Sequence, residues 1–270
     1  MKIILVTGAS SGIGYETAVS LKAQGHKVYG GVRNQQAAER LTQNGIIPIE
    51  LDVTDERQCK QAVKTIIEND KRMDVLINNA GYGLFGAIED IQIREANYQF
   101  DVNLFGAARL IQMVLPSMRK QKSGKIINVS SVGGRIVSYM GAWYHASKYA
   151  VEAFSDALRM EVSDFGLDVV LIEPGGAKTN WWETATKNMK SRSKGGAYEK
   201  ATEKAAAGMM KLYGNRLMSK PAVIAKAIVK AVDAKKPKTR YIVGFGGKSL
   251  LFLHFILPAK CYDWIVKRAM

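Results

Sequence analysis

The sequence predicts an α/β fold, a doubly wound parallel sheet of about seven strands with helices on both faces. Three observations carry that expectation. Short Val/Ile-rich runs alternate with helical stretches, the pattern of a parallel sheet covered on both sides. A glycine-rich turn, Thr7-Gly8-Ala9-Ser10-Ser11-Gly12-Ile13-Gly14, follows the first apolar run and opens a helix. Chemically active residues recur where the later runs end, and the carboxyl ends of strands are where open α/β sheets bind ligands.

Lys2-Ile3-Ile4-Leu5-Val6 reads as a buried strand over 2–7, and the same reasoning places strands at 27–32, 46–50, 74–78, 124–130, 167–173 and 240–243. Helices are expected over 13–24, 35–43, 55–70, 93–121, 142–165 and 220–234. No internal repeat or low-complexity linker interrupts them. The expected organisation is one domain over 1–245, followed by 246–270 as an apolar and basic extension.

With 270 residues, 47% hydrophobic, the chain can bury a substantial single core. The chain opens on a strand with no n-region, h-region and cleavage site ahead of it, so no signal peptide is expected. Cys59 and Cys261 form neither a disulfide framework nor a metal-ligand spacing, and no metal site is expected. These readings place the protein in the cytoplasm, with surface association to a membrane left open. The net charge of +15 is concentrated: residues 185–270 hold 19 basic and 4 acidic residues, whereas 1–184 are balanced. Such a surface attracts a substrate carboxylate or phosphate, an anionic membrane or nucleic acid, or is a solvated face. No nucleic-acid-binding signature accompanies it, so nucleic acid is not expected as a partner.

Tyr144 and Lys148 are four residues apart, and Ser131 lies thirteen before the tyrosine. A phenol has an ordinary pKa of about 10 and is a poor base at neutral pH. A lysine one turn later shares its helix face and can favour the phenolate. His145 is adjacent to Tyr144 and points elsewhere on a helix, and His26 and His254 lack carboxylate or serine neighbours in sequence, so all three are read as structural. The glycines at 8, 12 and 14 permit a tight turn and let backbone approach a pyrophosphate at a helix N-terminus. At the end of the second strand Val32 stands where an NAD-type site would carry an acid, and Arg33 follows, the residue type that accepts a 2′-phosphate. Surface charge alone is the other reading of Arg33.

The chain resembles the short-chain dehydrogenase/reductase family over Lys2 to about Tyr241. The motifs stand in the family's order: Thr7 to Gly14, Leu51-Asp52-Val53, Asn78-Asn79-Ala80-Gly81, Asn103, Ser131, Tyr144-xxx-Lys148 and Pro174-Gly175-xxx-Thr179. The resemblance implies a Rossmann-like fold and hydride exchange with a nicotinamide, with 1–245 as the dinucleotide-binding and catalytic domain and 180–219 as a lid over the substrate. It implies that Tyr144 is the general acid/base, that Lys148 lowers the phenol pKa and holds the nicotinamide ribose, and that Ser131 hydrogen-bonds the substrate oxygen. Asn103 would kink its helix and hold a water joining Lys148 to solvent. The implied cofactor is NADP(H), held by Gly8, Ser10, Ser11, Gly12, Ile13, Gly14, Arg33, Asp52, Val53, Asn79, Ala80, Gly81, Tyr144, Lys148, Pro174, Gly175 and Thr179. Asp52 would meet the adenine amino group, and helix capping is its rival role.

The segment 180–219 carries Trp181, Trp182, Tyr198, Met209, Met210, Leu212, Tyr213, Leu217 and Met218, a composition suited to a lipophilic ligand or to ordinary packing. By resemblance to hydroxysteroid and retinol dehydrogenases, the expected reaction interconverts a secondary alcohol and a ketone on a steroid-like molecule, which an anionic group would draw to the basic surface. A 3-oxoacyl (carrier protein or CoA) reductase is the rival enzyme, and a non-catalytic NADP(H) sensor the rival of another class. Family members are commonly homodimers or homotetramers. Ser249–Leu257 is apolar but far shorter than the roughly 20 residues that span a bilayer. Three readings stand for it: a helix buried on the main domain or a subunit partner, a cover over the pocket, or a peripheral membrane contact.

Overall fold

In a computed structural model, residues 1–178, 181–214 and 217–269 are described, without the side chains of Trp181 and Ala269. Among them, β1 (Ile3–Val6), β2 (Lys27–Val32), β3 (Ile47–Glu50), β4 (Val75–Asn78), β5 (Gly124–Val129), β6 (Leu167–Pro174) and β7 (Arg240–Val243) form one parallel sheet. Its order is β3-β2-β1-β4-β5-β6-β7. The order reverses beside β1, and the crevice beyond the carboxyl ends of β1 and β4 is the natural ligand site of such a sheet.

Alternation along β1 explains its unbroken apolar run. Ile4 and Val6 face one core and Ile3 and Leu5 the other, all buried. The first core is closed by α1 (Gly12–Ala23), α2 (Gln35–Gln43) and α9 (Pro221–Asp233), the second by α3 (Glu56–Asp70), α5 (Gly106–Gln121) and α6 (Ala142–Val162). Helix α9 shows the local logic: Pro221 starts it, and Ile224, Ile228 and Val232 recur on its buried face. The seven predicted strands are all present, with ends differing by at most one or two residues.

One predicted helix needs correction. The segment 93–121 is α4 (Ile93–Phe100), a π-helical turn (Asp101–Phe105) and then α5. The wider turn carries the buried Asn103. Gly106 just beyond it packs so closely on Val53 that a Cβ there would lie 2.7 Å from the valine side chain. The helix expected over 142–165 ends at Val162 and continues as a short 3₁₀ turn to Phe165 before Gly166 in the left-handed region.

Between β6 and α9 lie α7 (Trp181–Arg192) and α8 (Glu199–Tyr213), packed on each other. Met189 and Met209 are fully buried between them, in a cluster with Phe85 and Met140, so these methionines are core residues. After β7 come α10 (Gly247–Ile256) and α11 (Ala259–Ala269). Burial of this tail on the main domain holds for one side only. Leu251, Leu257, Tyr262 and Val266 pack on Val132 and Ile136, whereas Phe252, Phe255 and Ile256 are exposed. Among the described residues, no helix is long and apolar enough to cross a membrane, and no group of three or more His, Cys, Asp or Glu could hold a metal ion.

Candidate active site

Gly8 sits in the left-handed region at φ +63°, where the chain leaves β1. A different constraint acts at Gly14: a Cβ there would lie 2.3 Å from the Gly8 oxygen and 2.4 Å from Asn79 Nδ2. The turn is strapped from the neighbouring strand. Asn79 Nδ2 donates to the Thr7 and Gly8 oxygens at 3.0 and 3.2 Å, and Thr7 Oγ1 accepts from the backbone of Asn79 and Ala80 at 3.0 and 2.9 Å. Ser11 occupies the N-cap of α1 without a side-chain capping bond, and no acid lies in the first turn. The positive helix end thus faces the crevice, an arrangement fit for a pyrophosphate.

A single cavity of about 1020 Å³ begins at this turn and runs past the ends of β2 to β6. Gly8, Ser10, Ser11, Gly12 and Ile13 line it, as do Arg33, Asp52, Val53, Ala80, Gly81, Pro174 and Gly175. Asn79 lines it too, beside its strapping role. Gly14 does not, and serves instead the close approach of α1 to Gly8. Thr179 lies outside the described residues.

Arg33 NH1 is 3.5 Å from Asp52 Oδ2, and the arginine side chain is 67% exposed. Asp52 Oδ1 accepts from Thr54 N at 2.9 Å and Thr54 Oγ1 at 2.7 Å. Burial pushes the Asp52 carboxyl up, but these bonds and Arg33 together hold it below the ordinary value. The capping role falls to Asp55, whose carboxylate accepts from Arg57 N and Gln58 N at the start of α3. Asp52 therefore shapes the turn after β3 and pairs with Arg33 on the cavity wall.

Tyr144 and Lys148 lie on α6, and Ser131 starts the turn after β5. Ser131 Oγ accepts from Gly133 N at 2.9 Å and hydrogen-bonds the Tyr144 phenol. Ser130, which also lines the cavity, turns its hydroxyl towards Glu152 on α6. The expected lowering of the phenol is not what the structure has. Burial raises Tyr144 to about 12, with only the Ser131 bond acting the other way. Lys148 Nζ donates to the Val129 oxygen at 2.9 Å, and burial brings its pKa down to about 8 against the pull of Glu152.

Asn103 is buried behind Gly81 and Lys148, outside the cavity wall. Its Oδ1 accepts from Tyr82 N at 3.0 Å, and its Nδ2 donates to Tyr82 O at 3.0 Å and Ser147 Oγ at 2.9 Å. Ser147 in turn donates to the Tyr144 backbone oxygen at 2.7 Å. The π turn thus ties the loop after β4 to the helix bearing the tyrosine. His145 is structural, held by the Gly133 oxygen and by Ser138, with burial lowering its pKa. His26 differs from its reading in sequence, because folding places Asp233 3.4 Å from its Nε2.

Several residues of the site escaped sequence reasoning. Glu152, one turn beyond Lys148, is bound by Arg240 Nε at 3.1 Å, and Arg240 also reaches Asp156 at 2.6 Å and the buried Glu173 at 3.0 Å. The i,i+4 spacing from Lys148 to Glu152 was the available signal. Phe85, also unforeseen, lies 5.3 Å from Tyr144 ring to ring, and Trp182 stacks on Tyr213, two residues the sequence did single out, making an aromatic wall beside the phenol.

Comparison with known proteins bears on this geometry. The family model described as short chain dehydrogenase matches residues 2–190. A probable short-chain type dehydrogenase/reductase of Helicobacter pylori is 39% identical, over 96% of this chain and 94% of the relative. A 3-ketodihydrosphingosine reductase of Bacteroides thetaiotaomicron is 46% identical over 67% of this chain and 65% of its own length. An NADPH-dependent 3-dehydrocapnine reductase of Ornithobacterium rhinotracheale is 34% identical over 98% and 96%. A short-chain dehydrogenase structure from Streptomyces avermitilis superposes with TM-score 0.82 at 32% identity, covering 94% of this chain and 92% of that one.

Proposed function

The chain belongs to the short-chain dehydrogenase/reductase family of oxidoreductases, and on that footing we propose that it reduces the ketone of a lipophilic, lipid-like molecule with NADPH. The observation that carries this reading is the convergence of Ser131, Tyr144 and Lys148 in one cavity with the glycine turn and Arg33. NADPH bound there would supply the hydride. Gly8, Ser11 and the start of α1 would hold its pyrophosphate, and Arg33 its 2′-phosphate.

The protein's own contribution is acid catalysis. With a pKa of about 12, Tyr144 keeps its proton at neutral pH and can donate it to a carbonyl oxygen. Ser131 would donate a hydrogen bond to that oxygen as charge develops. Lys148 is already neutral at the high pH where the phenol titrates, so its charge is absent from that value; below about pH 8 it is an ammonium, and its charge would stabilise the phenolate left behind. Asn103 and Ser147 position the helix that carries both groups.

The substrate class rests on the aromatic wall of Phe85, Trp182 and Tyr213, on the apolar residues Leu250, Leu253 and Val266 lining the far cavity, and on the keto-sphingosine substrate named for one relative. A steroid-like ring system is the second reading, favoured by the flat Trp182–Tyr213 stack. NADPH consumption measured with long-chain 3-keto amines, steroid ketones, acyl thioesters and small polar ketones separates these readings. Preference of tenfold or more in kcat/KM for thioesters or small ketones would overturn the lipophilic assignment, and no turnover with any of them would favour a sensor.

A further inference from the structure

The tail helices show two unlike sides. Inward, Leu250 and Leu253 of α10 and Tyr262, Ile265 and Val266 of α11 line the catalytic cavity. Outward, Phe252, Phe255 and Ile256 are 65%, 85% and 52% exposed. Their i, i+3, i+4 spacing puts them on one stripe of α10. Trp264 of α11 is also exposed, with the Arg268 guanidinium 4.3 Å from its ring centre.

Charge selects what covers this stripe. The two helices carry Lys248, Lys260, Lys267 and Arg268, all exposed, against the single carboxylate of Asp263. Lys236 and Lys238 enter β7 from the end opposite α10, and Arg240 is committed to Glu152, Asp156 and Glu173, so none of these adds to the patch. A second copy of the chain would bring like charges together around the stripe, whereas an anionic lipid surface accepts both the cations and the aromatic side chains. Ten residues make α10 about 15 Å long, too short to span a bilayer and suited to lying in its interface.

We propose that α10 and α11 are an interfacial anchor that seats the mouth of the catalytic cavity on an anionic membrane. A lipid-like ketone could then pass from the bilayer along Leu250 and Leu253 without crossing water. This purpose rests on the substrate class proposed above; the anchoring surface does not.

The test is co-sedimentation of the full-length protein with vesicles of phosphatidylglycerol and phosphatidylcholine in equal parts, beside pure phosphatidylcholine. Binding is expected on the mixed vesicles, weakening several-fold on the neutral ones and in about 1 M salt, where the screening length is about 3 Å. The double variant Phe252→Ser/Phe255→Ser should partition at least roughly tenfold less. Neither residue lines the cavity, so turnover of a water-soluble ketone should be unchanged and certifies the fold. Absence of vesicle binding, or binding that survives the double substitution, overturns the proposal. So does a solution dimer that the double variant dissociates, which would assign the stripe to a second copy. Failure to bind vesicles together with preference for lipophilic ketones defeats the anchor alone, whereas binding without that preference defeats the substrate class alone.

Discussion

Removing the Arg33 guanidinium should narrow the preference for NADPH over NADH, and the structure sets the size of the effect. A hydrogen bond to a charged group contributes about 1.5–3 kcal/mol. Arg33 is two-thirds exposed, so solvent screening keeps the value near the lower end. Binding a 2′-phosphate also draws Arg33 away from Asp52, but their contact is 3.5 Å and open to water, worth about 0–1 kcal/mol. The net, about 0.5–1.5 kcal/mol, converts to a roughly 2- to 12-fold loss in kcat/KM for NADPH in Arg33→Ala. NADH has no phosphate at this position, so its kcat/KM should stay within about twofold. The assay is steady-state reduction of one ketone with each cofactor in turn. Equal losses with both cofactors would show that Arg33 supports the fold or Asp52 instead, and no loss with NADPH would remove it from phosphate recognition.

Two further outcomes follow from the packing around the site. Glu152→Gln removes the charge that raises the Lys148 pKa, so the ammonium should be lost at lower pH. The alkaline limb of kcat/KM for the ketone, expected near pH 8, should move down, and a limb that stays or moves up contradicts the coupling. Gly14→Ala puts a methyl group against the Gly8 oxygen and Asn79, so thermal unfolding should show a loss of about 2 kcal/mol or more, with weakened NADPH binding. An unchanged melting temperature would refute the close-approach argument.

Much of the architecture was legible because it depends on local pattern. Runs such as Ile3–Val6 and Val75–Asn78 are buried on both faces, so their apolar continuity appears directly in the sequence. The placement of the candidate groups was legible for a similar reason, since one helical turn fixes Tyr144 relative to Lys148. The π turn at Asp101–Phe105 did not show in the residue pattern, although the resemblance implied a kink at Asn103, because what secures it is remote: Asn103 bonds Tyr82 and Ser147, and Gly106 packs on Val53. The same holds for Tyr144 itself, where burial sets the pKa and spacing alone had suggested the opposite direction. Arg240 joins Glu152 from 88 residues away, a pairing that only the β6–β7 register creates.

The proton on Tyr144 is the centre of the account, and Tyr144→Phe tests it with the aromatic ring left in place. Ketone reduction by NADPH should fall by about 10²–10⁴ in kcat, the range for a positioned acid. NADPH affinity, measured separately by fluorescence titration, should stay within several-fold, because the cradle at Gly8, Ser11 and Arg33 is untouched. A variant that keeps more than about a tenth of the original kcat would contradict the assignment of Tyr144 as the proton donor.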